Sequence, residues 1–248
     1  MRGYSIVVLM LALLASAADA ADEITVSPQK SAGEIVHYPR LAHFPDAQIQ
    51  KRVNDLLAAH DKEESENHAS CQENLRENHQ KMEKDSYFTS IDVAYLSRRF
   101  LSLQVNSAWD CAGAHPGSSQ QPVTIDLTIG KEVDWKSAFR PGFLTLTDSK
   151  TFQSHPGKLA ALYRAHYAKL PKVDRDCLDA IHDDEFLDVV LWLDRGRRGL
   201  LANPQLPHVV QACNEDIAFS ADEVATYIAA PNLLAELREM STGTRGKN

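Results

Sequence analysis

The chain of 248 residues contains no G-x-S-x-G turn, no H-E-x-x-H pair and no phosphate-binding glycine loop. Those absences set aside the serine hydrolases that use a nucleophile elbow, the common zinc peptidases and the P-loop enzymes. Basic residues are in deficit: 26 Lys and Arg stand against 34 Asp and Glu, a net charge of −8. An acidic balance argues against non-specific nucleic-acid binding, so no nucleic-acid partner is expected, and it mildly favours encounter with a cationic one. Cysteine is scarce, with Cys71, Cys111, Cys177 and Cys213 alone and no C-x-x-C among them. The tight ligand spacing of a zinc site is missing, so neither a metal nor a cofactor is expected. Long apolar runs are also missing after the first residues. Even Ile6–Leu14 falls short of the roughly 20 residues that a membrane-spanning helix needs.

What the N-terminus does have is an ordered series of signals. Arg2 is followed by the apolar stretch Ile6–Leu14 and then by small residues ending in Ala18-Asp19-Ala20. A signal peptidase accepts only small side chains at the two flanking positions of such a site, so residues 1–20 read as a signal peptide and the mature chain is expected to begin at Ala21. Export places the protein in the periplasm or outside the cell, where an even number of cysteines reads as disulfides. Four cysteines allow three pairings. We favour Cys71–Cys111 with Cys177–Cys213, because each pair brackets one half of the chain. By the chain-entropy model each bond contributes roughly 4 kcal/mol.

Hydrophobic periodicity divides the remainder. Residues 21–40 read as an extended lead-in with strand candidates at 23–26 and 34–38. Pro45-Asp46 reads as a helix start. Ile49, Val53, Leu56 and Leu57 form one apolar stripe, and the helix is expected to run on through a charged stretch past His60, anchored by Cys71 and Leu75. From Tyr87 the period becomes two. Ile91-Val93-Tyr95, Leu101-Leu103-Val105 and Val123-Ile125-Leu127-Ile129 each alternate with smaller or polar residues, as in half-buried antiparallel strands. The second half adds helices at 158–169 and 174–182, a strand at 187–193, a turn at 194–199 and further strand material at 208–213 and 215–219. Ser220 and Glu223 form a capping box before a last helix, and Pro231 restarts a short one. The fold class expected is therefore α+β, an antiparallel sheet with helices packed on it, stapled by two disulfides. One domain spans 21–240, with two subdomains meeting near 141–157 as an option, and 241–248 is a flexible tail.

The most unusual segment is Trp109-Asp110-Cys111-Ala112-Gly113-Ala114-His115-Pro116-Gly117. It reads as a tight loop between strands, with Gly113 and Gly117 available for positive φ. His115 is a candidate proton shuttle or ligand, but it has no nucleophile pattern beside it. We take Gly113, His115, Pro116 and Asp126 as the candidate binding loop, and expect its backbone shape to matter more than the imidazole. On that reading Gly113→Val lowers stability and His115→Ala leaves the fold intact. A second candidate patch is Arg195, Arg197 and Arg198, crowded on one turn and suited to an anionic glycan or headgroup. His68 and His79 lie on the long helix, but Cys71 beside them is needed for its disulfide; the run Asp183-Asp184-Glu185 could supply paired carboxylates for glycoside chemistry and reads instead as solvated surface.

The run Ala112-Gly113-Ala114-His115-Pro116, the strand Val123 to Ile129 ending in Gly130-Lys131, and the Phe139 that follows after seven residues carry a resemblance. They resemble the Gly-Gly-Ala-His … Asn-x-Asp-Leu-x-x-Gly-Lys … Phe pattern of RsiV-like extracellular domains. That family of unknown function includes lysozyme-sensing anti-sigma factors and the accessory domain of the peptidoglycan deacetylase PdaC. Tyr38-Pro39 with Leu41, the helix from Ile49 to Leu57, and the strand pair over Tyr87–Ser97 and Phe100–Ala108 resemble the family's start. This chain departs from the pattern in having Ala112 for the first glycine. It has no deacetylase domain and no sigma-binding region, so neither activity is implied. The resemblance implies an α+β fold and a non-catalytic domain that binds cell-wall glycan or a cationic, lysozyme-like hydrolase. The alternatives are a cell-wall hydrolase using His115 with a carboxylate such as Asp126, and a structural envelope protein with protein partners only.

Overall fold

The computed structural model describes residues 24–27, 31–32, 35–83, 86–144, 152–153, 157–183 and 188–242. The expected signal peptide lies outside the described residues, as do Asp184, Glu185 and the chain after Thr242. The lead-in folds as two short antiparallel pairs, β1 (Thr25–Val26) with β4 (Leu41–His43) and β2 (Ser31–Ala32) with β3 (Ile35–Val36). Asp46 then caps α1 (Ala47–Glu77), its carboxylate accepting the N–H groups of Gln48 and Ile49 at 2.8 and 3.1 Å. Ile49, Val53 and Leu57 are buried on one face. Farther along only Glu64, Cys71 and Leu75 are buried, so the charged half of the helix touches the fold at a few anchors.

That helix lies on a five-stranded antiparallel sheet. β5 (Tyr87–Leu96) pairs with β6 (Phe100–Trp109). β6 in turn pairs along its far edge with β7 (Gly117–Gln120) at one end and β8 (Val123–Asp126) at the other, and β8 pairs with β9 (Lys131–Glu132). Leu101, Leu103 and Val105 of β6, with Ile91, Val123 and Ile125, meet the helical stripe in one apolar core. The strand expected to reach Ile129 stops at Asp126. Its carboxylate accepts the backbone N–H and the hydroxyl of Thr128 at 2.8 and 2.6 Å, an Asx turn that ends the ladder. Gly130 completes the turn with a φ of 64°.

The second half builds a four-stranded antiparallel sheet of β10 (Phe152–Gln153), β11 (Asp188–Asp194), β12 (Gly199–Pro204) and β13 (Ile217–Phe219). Its helices are α2 (Trp135–Ala138), α3 (Lys158–Tyr167), α4 (Arg175–Asp183), α5 (Ala221–Val224) and α6 (Pro231–Thr242). Leu191, Leu193, Leu200 and Phe219 pack with Leu159 and Tyr163 of α3 and Leu233 and Leu237 of α6 in the larger core. Residues expected as strand at 208–213 form instead a 3-10 helix, His208–Cys213. Pro204 and Pro207 lack the N–H donors that would extend the ladder, and Val209, 88 % exposed, breaks the alternation. Ser220 and Glu223 do form the capping box of α5. The tail helix reaches Thr242, two residues into the stretch expected as a flexible tail, and the rest of that stretch lies outside the described residues.

Both favoured cysteine pairs are bonded, Cys71–Cys111 with Cα atoms 4.9 Å apart and Cys177–Cys213 at 5.2 Å. The two sheets meet along β11. The Leu193 N–H donates to the buried Ser102 hydroxyl of β6 at 3.1 Å, and the Arg195 N–H donates to Ala94 O of β5 at 2.9 Å. Glu236 of α6, almost wholly buried, accepts from the Tyr95 hydroxyl at 2.5 Å and from Arg99. Among the described residues no helix is long and apolar enough to cross a membrane.

Candidate functional site

Strand alternation gives the Asn106–Trp109 end of β6 two different faces. Val105, Ser107 and Trp109 point toward α1, and Gln104, Asn106 and Ala108 point toward the second half of the chain. Each face borders a cleft. The β6–β7 hairpin carries the loop singled out from the sequence, because Trp109 pairs with Gly117 and residues 110–116 close the turn. Within that loop Gly113, His115 and Pro116 are exposed. The left-handed position is neither Gly113 nor Gly117 but Ala112, with a φ of 59°. Gly117 is required for another reason. A Cβ there would sit 2.6 Å from Cε2 of the Trp109 indole, whereas one on Gly113 would meet only His115 O at an ordinary 3.7 Å. The steric demand expected at Gly113 therefore falls on Gly117 instead.

Asp126 is not part of this loop. It pairs with Phe100, at the opposite end of β6 from Trp109. Nine strand steps separate the two ends, about 30 Å at strand rise. His115 and Asp126 are thus too far apart to act on one bond. The arginine turn is also built differently from a free anion patch. The Arg195 guanidinium donates to Leu96 O and lies 5.6 Å over the Tyr95 ring. Arg197 donates to Asp216 O and pairs with the Asp216 carboxylate at 3.5 Å. Two of the three arginines therefore hold the β11–β12 hairpin against its neighbours, while Arg198 is exposed with a φ of 53°.

The cleft on the second-half side has a volume of about 440 Å³. Gln104 and Asn106 of β6 and Gln120 of β7 form its floor. Asn203 and Gln205, with Gln211 and Asn214 around the 3-10 helix, form the facing wall. The Gln211 side-chain amide donates to Ser118 O across the cleft at 2.9 Å. Asn203 donates to Asp216 at 2.7 Å, and Gln205 reaches Asn203 at 3.4 Å, so the wall is an amide chain. Asn214 Oδ1 is buried without a hydrogen-bond partner among the described residues. Phe88, 56 % exposed, adds a flat apolar surface at the rim. Asp216 is the single carboxylate of the lining, and it is engaged by Asn203 and Arg197. Among the described residues of the lining no second carboxylate stands beside it. The arrangement offers donors and acceptors rather than an acid and a base.

None of these amides was singled out in the sequence. Gln104 and Asn106 look like the solvated face of an alternating strand, and their partners lie about a hundred residues downstream. The only sequence signal was the density of Asn, Gln and Ser on both sides of Cys111.

No family model and no curated protein matches the chain. Among solved structures it is similar to a member of the DUF3298 family from Bacteroides fragilis. The match has a TM-score of 0.56 and 12 % identity and covers 88 % of this chain and 99 % of that one. At that identity the likeness concerns the fold, which is that of a domain of unknown function.

Proposed function

We propose that this chain is an exported, non-catalytic binding module of the bacterial envelope that holds cell-wall glycan in the amide cleft between the β6–β7 hairpin and the 3-10 helix. The observation that carries the reading is the lining itself: amides and hydroxyls on two facing walls, an exposed aromatic at the rim and one carboxylate, already paired. Sugars present closely spaced hydroxyl and acetamido groups beside apolar C–H faces, and a concave site with a few convergent polar groups suits them. Two disulfides in a chain without free cysteine support an oxidising compartment.

The test is calorimetric titration of the mature protein with soluble muropeptides, beside Asn106→Ala and Gln211→Ala and beside a cationic lysozyme. Saturable muropeptide binding that both variants weaken supports the reading. Lysozyme binding without muropeptide binding moves the protein to the protein-recognition class, and muropeptide turnover overturns the non-catalytic part. N-terminal sequencing of the exported species should read from Ala21; recovery of Met1 from the envelope overturns export by signal-peptide cleavage.

A further inference from the structure

On the other face of the same strands, between α1 and the sheet, lies a second cavity of about 310 Å³. Glu64 of α1 lines it and is 8 % exposed. Its carboxylate accepts a hydrogen bond from the Thr89 hydroxyl, which in turn contacts Ser107 Oγ at 3.1 Å. Among the described residues no Lys, Arg or His forms an ion pair with it. Other carboxylates differ: Asp61 is paired with Arg40 and His37, and the more deeply buried Glu236 with Arg99. An unpaired carboxylate taken out of water is costly, and such groups are normally matched by a cation.

Three aromatic side chains, Tyr38, Tyr87 and Trp109, line the same cavity, with the amides of Asn67 and Asn74 at its helix side. Aromatic faces attract cations, most strongly where water is excluded. The Tyr38 phenol is pushed up first by burial and then by Glu64, Glu63, Asp61 and Glu132. That of Tyr87 is pushed up to about 12, by burial and then by Glu64. The cavity thus combines a buried carboxyl group, aromatic walls and peripheral amides.

We infer that this cavity binds a primary ammonium group carried on a small polar scaffold, with Glu64 as counter-charge and the rings of Tyr38, Tyr87 and Trp109 as walls. Two scaffolds share that chemistry, an amino acid with a side-chain amine and a sugar with a free amine. The inference is independent of the glycan reading, since the two clefts share only Ser107 and Ser119 of their linings and are probed by different variants.

The experiment is isothermal titration of the full chain with L-lysine, D-glucosamine and N-acetylglucosamine. Lysine or glucosamine is expected to bind, the preference naming the scaffold. N-acetylglucosamine, which has no ammonium, is expected not to compete at this site. Glu64→Gln keeps the shape and removes the charge. It should weaken amine binding by about tenfold or more, the loss of a charge-assisted contact, and should raise the melting temperature of the free protein. Asn67→Lys, on the exposed helix surface, supplies a tethered ammonium three residues from Glu64 and should exclude free amines. Absence of binding by both amines to the wild type overturns the inference. So does amine binding unchanged in Glu64→Gln, or, where that variant does not fold, unchanged in Asn67→Lys. Amine binding lost in Asn106→Ala but kept in Glu64→Gln would place the amine in the other cleft and overturn the assignment.

Discussion

The two ends of β6 are built from the same backbone pairing and do different work. From Phe100 to Val105 the strand is almost wholly buried, with Leu101 and Leu103 against α1 and Phe100 in the larger core. Its buried polar side chain, Ser102, is satisfied by Thr124 Oγ1 at 2.9 Å and by the Leu193 N–H. From Asn106 to Trp109 the strand is half-exposed, bordered by a cleft on each face and closed by a disulfide rather than by apolar packing. The apolar cluster there is small, Cys71, Leu75 and Tyr87 with a few partly buried neighbours. A continuous strand thus runs from a dry core to a wet end, where its side chains face the two clefts.

The comparison can be broken most severely at the wet end by removing its covalent bond. Cys71→Ser with Cys111→Ser should cost about 4 kcal/mol, since the bond closes a separation of 40 residues in the unfolded chain. Denaturant unfolding of the double variant measures it, and a loss below a third of that figure would mean the wet end is held by packing after all. At the dry end Leu103→Ala should cost about 3 kcal/mol through the cavity it leaves. Asn106→Ala, three residues on, should change the melting temperature little while impairing ligand binding. Equal melting losses for the two would erase the distinction between the ends.

Two finer substitutions sharpen the hairpin loop. Gly117→Ala should cost about 2 kcal/mol, because the new methyl group collides with the Trp109 indole and the indole must move. Gly113→Ala should stay within about 0.5 kcal/mol of wild type. The smallest expected effect is a gain. Ala112 occupies a left-handed conformation that glycine adopts without penalty, so Ala112→Gly should stabilise by about 0.5–1 kcal/mol. A melting temperature lowered by Ala112→Gly would show that the Ala112 methyl group packs usefully beside Cys71.

Much of the fold was legible because burial writes a period into the chain. Ile49, Val53 and Leu57 marked the helix, and Ile91, Leu103 and Ile125 marked strands whose one face is core. The Ser220–Glu223 capping box is a local signal and needed no tertiary context. β7 was missed because Gly-Ser-Ser-Gln buries nothing that alternates, and its place is set by hydrogen bonds to β6. The end of β8 was overrun because Leu127 is buried within a turn, keeping the apolar pattern after the pairing has stopped. The candidate site was the least legible part. Its floor comes from residues 104–120 and its wall from 203–214, and only packing of β11 on the first sheet joins them. Glu64 was hidden differently, by a run of charged neighbours that made it look like solvated surface.

β5 lies at an outer position of the first sheet, and long unpaired strand edges invite pairing with other chains. Its register slips between Val93 and Tyr95, leaving Ala94 as an extra residue whose carbonyl turns away from β6. That carbonyl is capped by the Arg195 N–H, and Leu96 O by the Arg195 side chain. The turn that resembled an anion patch therefore plugs the stretch of edge where β5 is least regular. Any protein that folds among other chains gains from such a plug. It withholds the strand from self-association and makes aggregation, rather than ligand affinity, the property that loss of Arg195 would expose.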